Sequence, residues 1–196
     1  MTACQTRSQT SSPAHSLTRA TILAAARTWI GTPYVHQASC KGGGCDCLGL
    51  VRGVWRELFG SEPEQPPPYT PDWAERQRAE TLRDAAARHL EQIDPRSAGA
   101  ADVLLFAFRD TSPAKHCALL TTDIDDPAAR IIHAHERLPV AEVALFEGWR
   151  RKVRFAFRFP GVLELSSRAY SPSGCPADCA DQKVRRAVAL AKPEVS

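Results

Sequence analysis

No stretch of this sequence approaches the roughly 18 apolar residues that a membrane-spanning helix requires, which excludes membrane insertion by that route. The opening "MTACQTRSQTSSPAHSLTRA" lacks both a basic start and an apolar core. No secretory signal is therefore expected, and the chain is expected to be made in a reducing cytosol. A dominant charge is missing too: 25 Lys and Arg stand against 22 Asp and Glu, and a net charge of +3 gives no footing for nucleic acid. Internal repeats are absent. Zinc-type spacing is absent as well, since Cys40, Cys45 and Cys47 form C-x4-C-x-C. No metal and no cofactor is expected. Seven cysteines in a reducing compartment do not read as a disulfide framework. Cys45 and Cys47 are too close for easy bridging, whereas Cys175 and Cys179 are candidates for a bridge outside the cytosol.

What remains is an ordinary soluble composition, 43% apolar and 24% charged, in 196 residues, enough for one core with appendages. Residues 1–17 read as a polar, mobile leader. From Thr18, a candidate N-cap, Ile22, Ala26, Trp29 and Ile30 share a helical face until Pro33 breaks the pattern. A second helix carries Leu50, Val51, Val54, Trp55, Leu58 and Phe59 as an apolar stripe. "SEPEQPPPYTP" reads as a stiff linker. A polar helix is expected from Asp72 to about Gln92, with Leu82, Ala86, Leu90 and Ile93 on one face. After "DPRSAGA" the period changes to that of strands: "DVLLFAF", "HCALLTT", "RIIHAH", "VAEVALF" and "KVRFAFRF". The last is expected to turn Val153, Phe155, Phe157 and Phe159 inward, with Arg154 and Arg158 outward. Helices followed by strands point to an α+β fold, an antiparallel sheet with helices packed on it. Residues 161–196 lose the periodicity and read as an irregular tail with at most a short helix.

In "KGGGCDCLGLVRGVW", Lys41 to Trp55, two cysteines follow three glycines at the start of a helix. With Asp46 as N-cap, Cys47 takes the first helical position. The free N–H groups and the positive end of the helix dipole there favour a thiolate over the usual pKa of about 8.5. The glycines are expected to leave the sulfur uncovered, and the same N–H groups suit a tetrahedral oxyanion. The competing reading is a buried packing cysteine, since free cysteines are among the most buried residues.

A nucleophilic cysteine needs a base, usually histidine. His15 lies in the leader and His89 in the polar helix, where both are expected to be solvated. His116 opens one strand and His133 lies in the next. A four-residue connection, Asp123 to Asp126, sets Thr122 opposite Pro127 and, counting back, His116 opposite His133. Such partners have Cβ atoms about 5 Å apart on one face, which suits one imidazole taking the thiol proton while the other orients it. His135 shares that parity. The alternative is a histidine pair that merely caps a sheet edge. Cys117, of opposite parity to His116, is expected to point into the core. The basic run from Arg150 to Arg158 reads as a solvated face.

With these residues placed, the chain resembles the NlpC family of cell-wall cysteine peptidases over about Leu17 to Pro160. The resemblance rests on "WIGTPYVHQA", "GCDCLGLV", "HCALL" and "IIHAHE". It is most similar to the peptidases encoded in tail gene clusters of phages and phage-like gene transfer agents, which share "GTPY", "HQAS", "GCDCLGLVRGVW" and "PPPYTPDWAE". The resemblance implies a papain-like domain over residues 18–160, with N-terminal helices on a sheet of five to six strands. It makes Cys47 the nucleophile, His116 the general base and His133 its orienter. It places Tyr34 beside the thiol and assigns Asp46 to holding a substrate amine. It implies cleavage of peptidoglycan stem peptides, between γ-D-glutamate and diaminopimelate, and carriage of the enzyme by phage-like tail or baseplate proteins to the wall of a target cell. Leu48 departs from the serine that many members carry after the nucleophile, and "HQASCKGGG" replaces a shorter turn. A cysteine amidase or acyltransferase, or a catalytically silent tail protein, would use the same fold.

Overall fold

A computed structural model describes residues 17–70 and 79–162. The leader apart from Leu17, the tail beyond Val162, Trp73, and Cys175 with Cys179 lie outside the described residues. Helix α1, Arg19–Arg27, begins at Thr18, whose hydroxyl accepts from Thr21 N while Thr21 Oγ1 accepts from Thr18 N. This reciprocal cap satisfies two donors that a helix start leaves free. The helix ends before Trp29. Trp29 is fully buried, but Ile30 turns out to solvent instead of joining the apolar face.

A two-stranded ribbon follows, β1 (Ser39–Cys40) against β2 (Gly44–Cys45), with Gly42 at φ 74° in its turn. Gly42 to Gly44 thus close a tight hairpin, because the positive φ costs a glycine no Cβ clash. Helix α2, Cys47–Phe59, starts directly after it and buries Leu50, Val51 and Val54. Trp29 packs against α2 at Gly53, where an added Cβ would stand 2.0 Å from the indole.

Helix α3 spans Thr81–His89, and residues 72–78 of the expected helix lie outside the described residues. The segment expected to prolong it instead turns extended at Leu90 and forms β3, Glu91–Ile93, which pairs with the last strand. That pairing covers a sheet edge whose backbone groups would otherwise lack partners, which outweighs the helical spacing of Leu90 and Ile93. The remaining strands are β4 (Val103–Phe106), β5 (His116–Leu120), β6 (Arg130–His133), β7 (Ala141–Ala144) and β8 (Val153–Arg158), with a four-residue helix α4 (Glu147–Arg150) before the last. All five expected strands form.

The sheet has six strands in the order β3-β8-β4-β5-β6-β7, every pair antiparallel. Alternation along the strands builds two cores. Val103, Leu105, Cys117, Leu119, Ile132 and Phe157 pack with residues of α1 and α2, while Leu104, Phe106, Ala118, Leu120, Ile131 and Ala156 form a second layer that Trp149 joins. A register shift between Leu105 and Phe106 turns Val153 into the second layer while Phe155, Phe157 and Phe159 stay with the first. The strict alternation expected of β8 fails at that irregularity, since one extra residue exchanges the faces. Arg158 is not a free surface charge: it donates through Nε and Nη2 to buried Asp102, at 3.1 and 3.0 Å.

Candidate active site

Asp46 caps α2, its Oδ1 accepting from Gly49 N at 2.7 Å. Cys47 is therefore the first residue of the helix, at its positive end, and the N–H groups of Cys47 and Leu48 have no helical carbonyl to bond. The other carboxylate oxygen of Asp46 accepts from Gln37 N at 2.8 Å and from the Tyr69 hydroxyl at 2.5 Å, with His36 Nδ1 at 3.6 Å. His36 Nε2 meets the Tyr69 carbonyl at 2.8 Å, and Gln37 Nε2 donates to that carbonyl at 2.7 Å. Both oxygens of the buried carboxylate are thus engaged by its own chain, and the end of the proline-rich linker is fastened beside the cysteine. Burial and the hydrogen bond to Asp46 push the Tyr69 phenol far above its usual range, so it donates at every relevant pH.

Strand β5 offers Cys47 two consecutive residues. Cys117 lies on the face of β5 that packs with α2, and His116 is the first residue of the strand. The Cys47 thiol is held well below its ordinary value, first by hydrogen bonding with the Cys117 side chain and next by the charge and hydrogen bonding of His116, all against the opposing effect of burial. The Cys117 thiol moves well above its ordinary value for the complementary reason, donation to Cys47 together with burial. Of the two sulfurs, Cys47 carries the thiolate and Cys117 stays protonated.

His116 Nε2 lies 3.0 Å from His133 Nδ1, and both residues are more than nine-tenths buried. Leu119 pairs with Ile132 and Leu120 with Ile131, so the register is two residues away from the one expected and Ala118, not His116, projects onto His133. The parity survives a shift of two, and an imidazole is long enough to span the diagonal. Burial, helped by the nearby His116 and His135, lowers the His133 pKa to about 4. His133 is therefore neutral at ordinary pH and able to accept from a protonated His116. Tyr34 is bridged to Cys45 and placed close to Asp46 and Cys47. Burial first, then the charges of Asp46, Cys47 and Glu136, push its phenol up to about 12.

The structure thus brings Cys47, His116, His133, Tyr34 and Asp46 together. His36, Gln37, Tyr69, Cys117 and Trp149 belong to the same neighbourhood without having been singled out for it. The "HQAS" and "PPPY" runs held three of them in view, but 23 residues separate Asp46 from Tyr69 and no periodicity links the two. Cys45, Cys47 and Cys117 are free thiols, and among the described residues no group of three or more His, Cys, Asp or Glu could hold a metal ion. Chemically, the arrangement supplies a thiolate at a helix N-terminus, an imidazole to exchange protons with a leaving group, and a neutral acceptor behind that imidazole.

No family model matches this chain, and no curated protein matches it in sequence. Solved structures do match. The chain is similar to the NlpC/p60 domain of the peptidoglycan hydrolase SagA, with 23% identity, a TM-score of 0.50, and coverage of 73% of this chain and 100% of that one. It is also similar to a protein of Staphylococcus aureus subsp. aureus Mu50 described as similar to lipoprotein, NLP/P60 family. There the identity is 19% and the TM-score 0.49, over 74% of this chain and 42% of that one. The likeness to the SagA domain shows the fold: a papain-like α+β arrangement of the NlpC/p60 kind.

Proposed function

We propose that this chain is an NlpC-type cysteine peptidase that hydrolyses peptidoglycan stem peptides. The observation that carries the reading is Cys47 at the start of α2, with a lowered thiol pKa, next to a buried His116–His133 pair joined at 3.0 Å. The SagA domain, named as part of a peptidoglycan hydrolase, supports the choice of substrate class.

The Cys47 thiolate attacks the amide carbonyl, and the N–H groups at the start of α2 stabilise the oxyanion. Protonated His116 gives its proton to the departing amine, leaving a thioester on Cys47. His116 then takes a proton from water, which attacks the thioester and releases the acid. His133 accepts from His116 Nε2 throughout and steadies the imidazolium. Tyr34 lines the site, and Asp46 helps to hold a substrate amine. The bond cleaved joins γ-D-glutamate to diaminopimelate, and the protein travels with a phage-like tail particle to the wall it opens. Both follow from the resemblance of "GCDCLGLVRGVW" and "PPPYTPDWAE" to tail-cluster peptidases.

Purified protein added to cell walls should clear them, with Cys47→Ala inactive yet folded. Persistence of wall clearing in Cys47→Ala would overturn the mechanism. Co-sedimentation with purified tail particles tests delivery separately, and its absence would remove that part alone.

A further inference from the structure

The histidine pair is roofed by one residue from outside the expected site. Trp149, on α4, has its indole centroid 5.4 Å from the His116 ring, 5.3 Å from His133 and 6.0 Å from His135. It stands perpendicular to His133, at 89°, and tilted over His116, at 51°. Phe106 and Phe108 flank it at 5.1 and 5.7 Å, and each also contacts His116. The helix turn that carries it is fastened in place: the Arg150 guanidinium donates to the carbonyls of Ile124 and Asp126 in the β5–β6 connection. Lys152 N donates to Trp149 O at 3.0 Å.

We infer that Trp149 is a positioning residue of the His116–His133 pair, holding the two rings in the mutual orientation that lets His133 accept from His116 Nε2. This rests on the reading of Cys47 and His116 as a reacting pair. Two physical effects support the assignment. An indole face beside an imidazole favours its cationic form, which His116 takes when Cys47 is a thiolate. The indole, 5.3 Å from the His133 ring, also excludes water from it, and burial is the first cause of the depressed His133 pKa.

The charged and titratable groups that act on His133 are His116 on β5, His135 beyond β6 and Cys47 on α2. Lys152 lies over the Trp149 and Phe108 rings and Lys115 over Phe108. His116 and His135 oppose a charge on His133, whereas Cys47 favours one. Opening the roof to water relieves that opposition.

The test is the alkylation rate of Cys47 by iodoacetamide against pH, read on the Cys47 peptide by mass spectrometry. Hydrolysis of stem peptide is measured in parallel. Trp149→Ala should move the acid limb of alkylation up by about one pH unit, slowing the reaction about ten-fold on that limb. It should also reduce kcat with little change in KM, and Trp149→Phe should restore most of both. Unchanged profiles in a folded Trp149→Ala, or equal losses in the Phe and Ala variants, would overturn the inference. If the Ala variant does not fold, Trp149→Leu against Trp149→Phe decides: only the aromatic variant should keep the wild-type limb, and identical limbs refute the assignment. Alkylation needs no substrate, so a chain that alkylates as expected but leaves peptidoglycan intact refutes the peptidase reading and not the role of Trp149.

Discussion

Replacing Cys117 with alanine removes the foremost support of the Cys47 thiolate. The Cys117 thiol donates to it from the core-facing side of β5, and this hydrogen bond precedes His116 among the causes that depress Cys47. Hydrogen bonds to charged groups contribute about 1.5–3 kcal/mol, and a thiol is a weak donor, so the lower end applies. At about 1.4 kcal/mol per pKa unit, Cys117→Ala should raise the Cys47 pKa by about one unit. Because Cys47 starts well below its ordinary value, the change is nearly silent at neutral pH and visible only on the acid limb. There the alkylation rate should fall about ten-fold. The lost sulfur also leaves a small void in the core, costing about 1 kcal/mol of stability. Cys117→Ser retains a donor and should keep most of the low pKa. An alkylation profile in Cys117→Ala that superimposes on wild type would refute the reasoning and leave the thiolate to His116, the Cys117 backbone and the helix start.

His116→Ala should be as inactive in stem-peptide hydrolysis as Cys47→Ala, whereas His133→Ala should keep measurable turnover, because an orienter acts only through the base. If His135→Ala proves the damaging change instead, the diagonal contact at 3.0 Å is not the working one. Burial depresses the folded-state pKa of His133 to about 4 against about 6.5 when unfolded. The unfolded chain then binds the extra proton first as pH falls, so stability is full above about 6.5 and is lost towards 4. Urea melts over that range should show the slope, and His133→Asn should flatten it. Gly53→Ala gains about 1 kcal/mol of helix propensity but sets a methyl carbon 2.0 Å from the Trp29 ring. Overpacking should dominate, for a net loss of about 1–3 kcal/mol in thermal melts. Unchanged stability would mean that Trp29 repacks freely.

Local signals reached the sequence and distant ones did not. Thr18, Asp46 and the position of Cys47 were legible because capping depends on three or four neighbouring residues. The parity of His116 and His133 was legible because it belongs to each strand alone. Their register was not, since it depends on the conformation of the connection around Asp123 to Asp126, where Ile124 N bonds Ala98 O and Asp126 N bonds Asp123 O. The face taken by Val153 was hidden for a similar reason: the irregularity arises in the pairing of β8 with Phe106, not in β8 itself. Leu90 to Ile93 misled because helical spacing of apolar residues persisted where pairing with β8 won. Tyr69 and Trp149 reach the site from a linker and a four-residue helix, segments too short or too irregular to carry a period.

The central claim is that Cys47 cleaves a stem peptide through a thioester. Its most direct measurement is mass spectrometry of fragments released from purified peptidoglycan by the wild-type chain and by Cys47→Ala. The account predicts fragments ending at a single new amide break, between γ-D-glutamate and diaminopimelate, from wild type only. Intact walls with a folded, alkylatable Cys47, or equal fragments from both proteins, would contradict it.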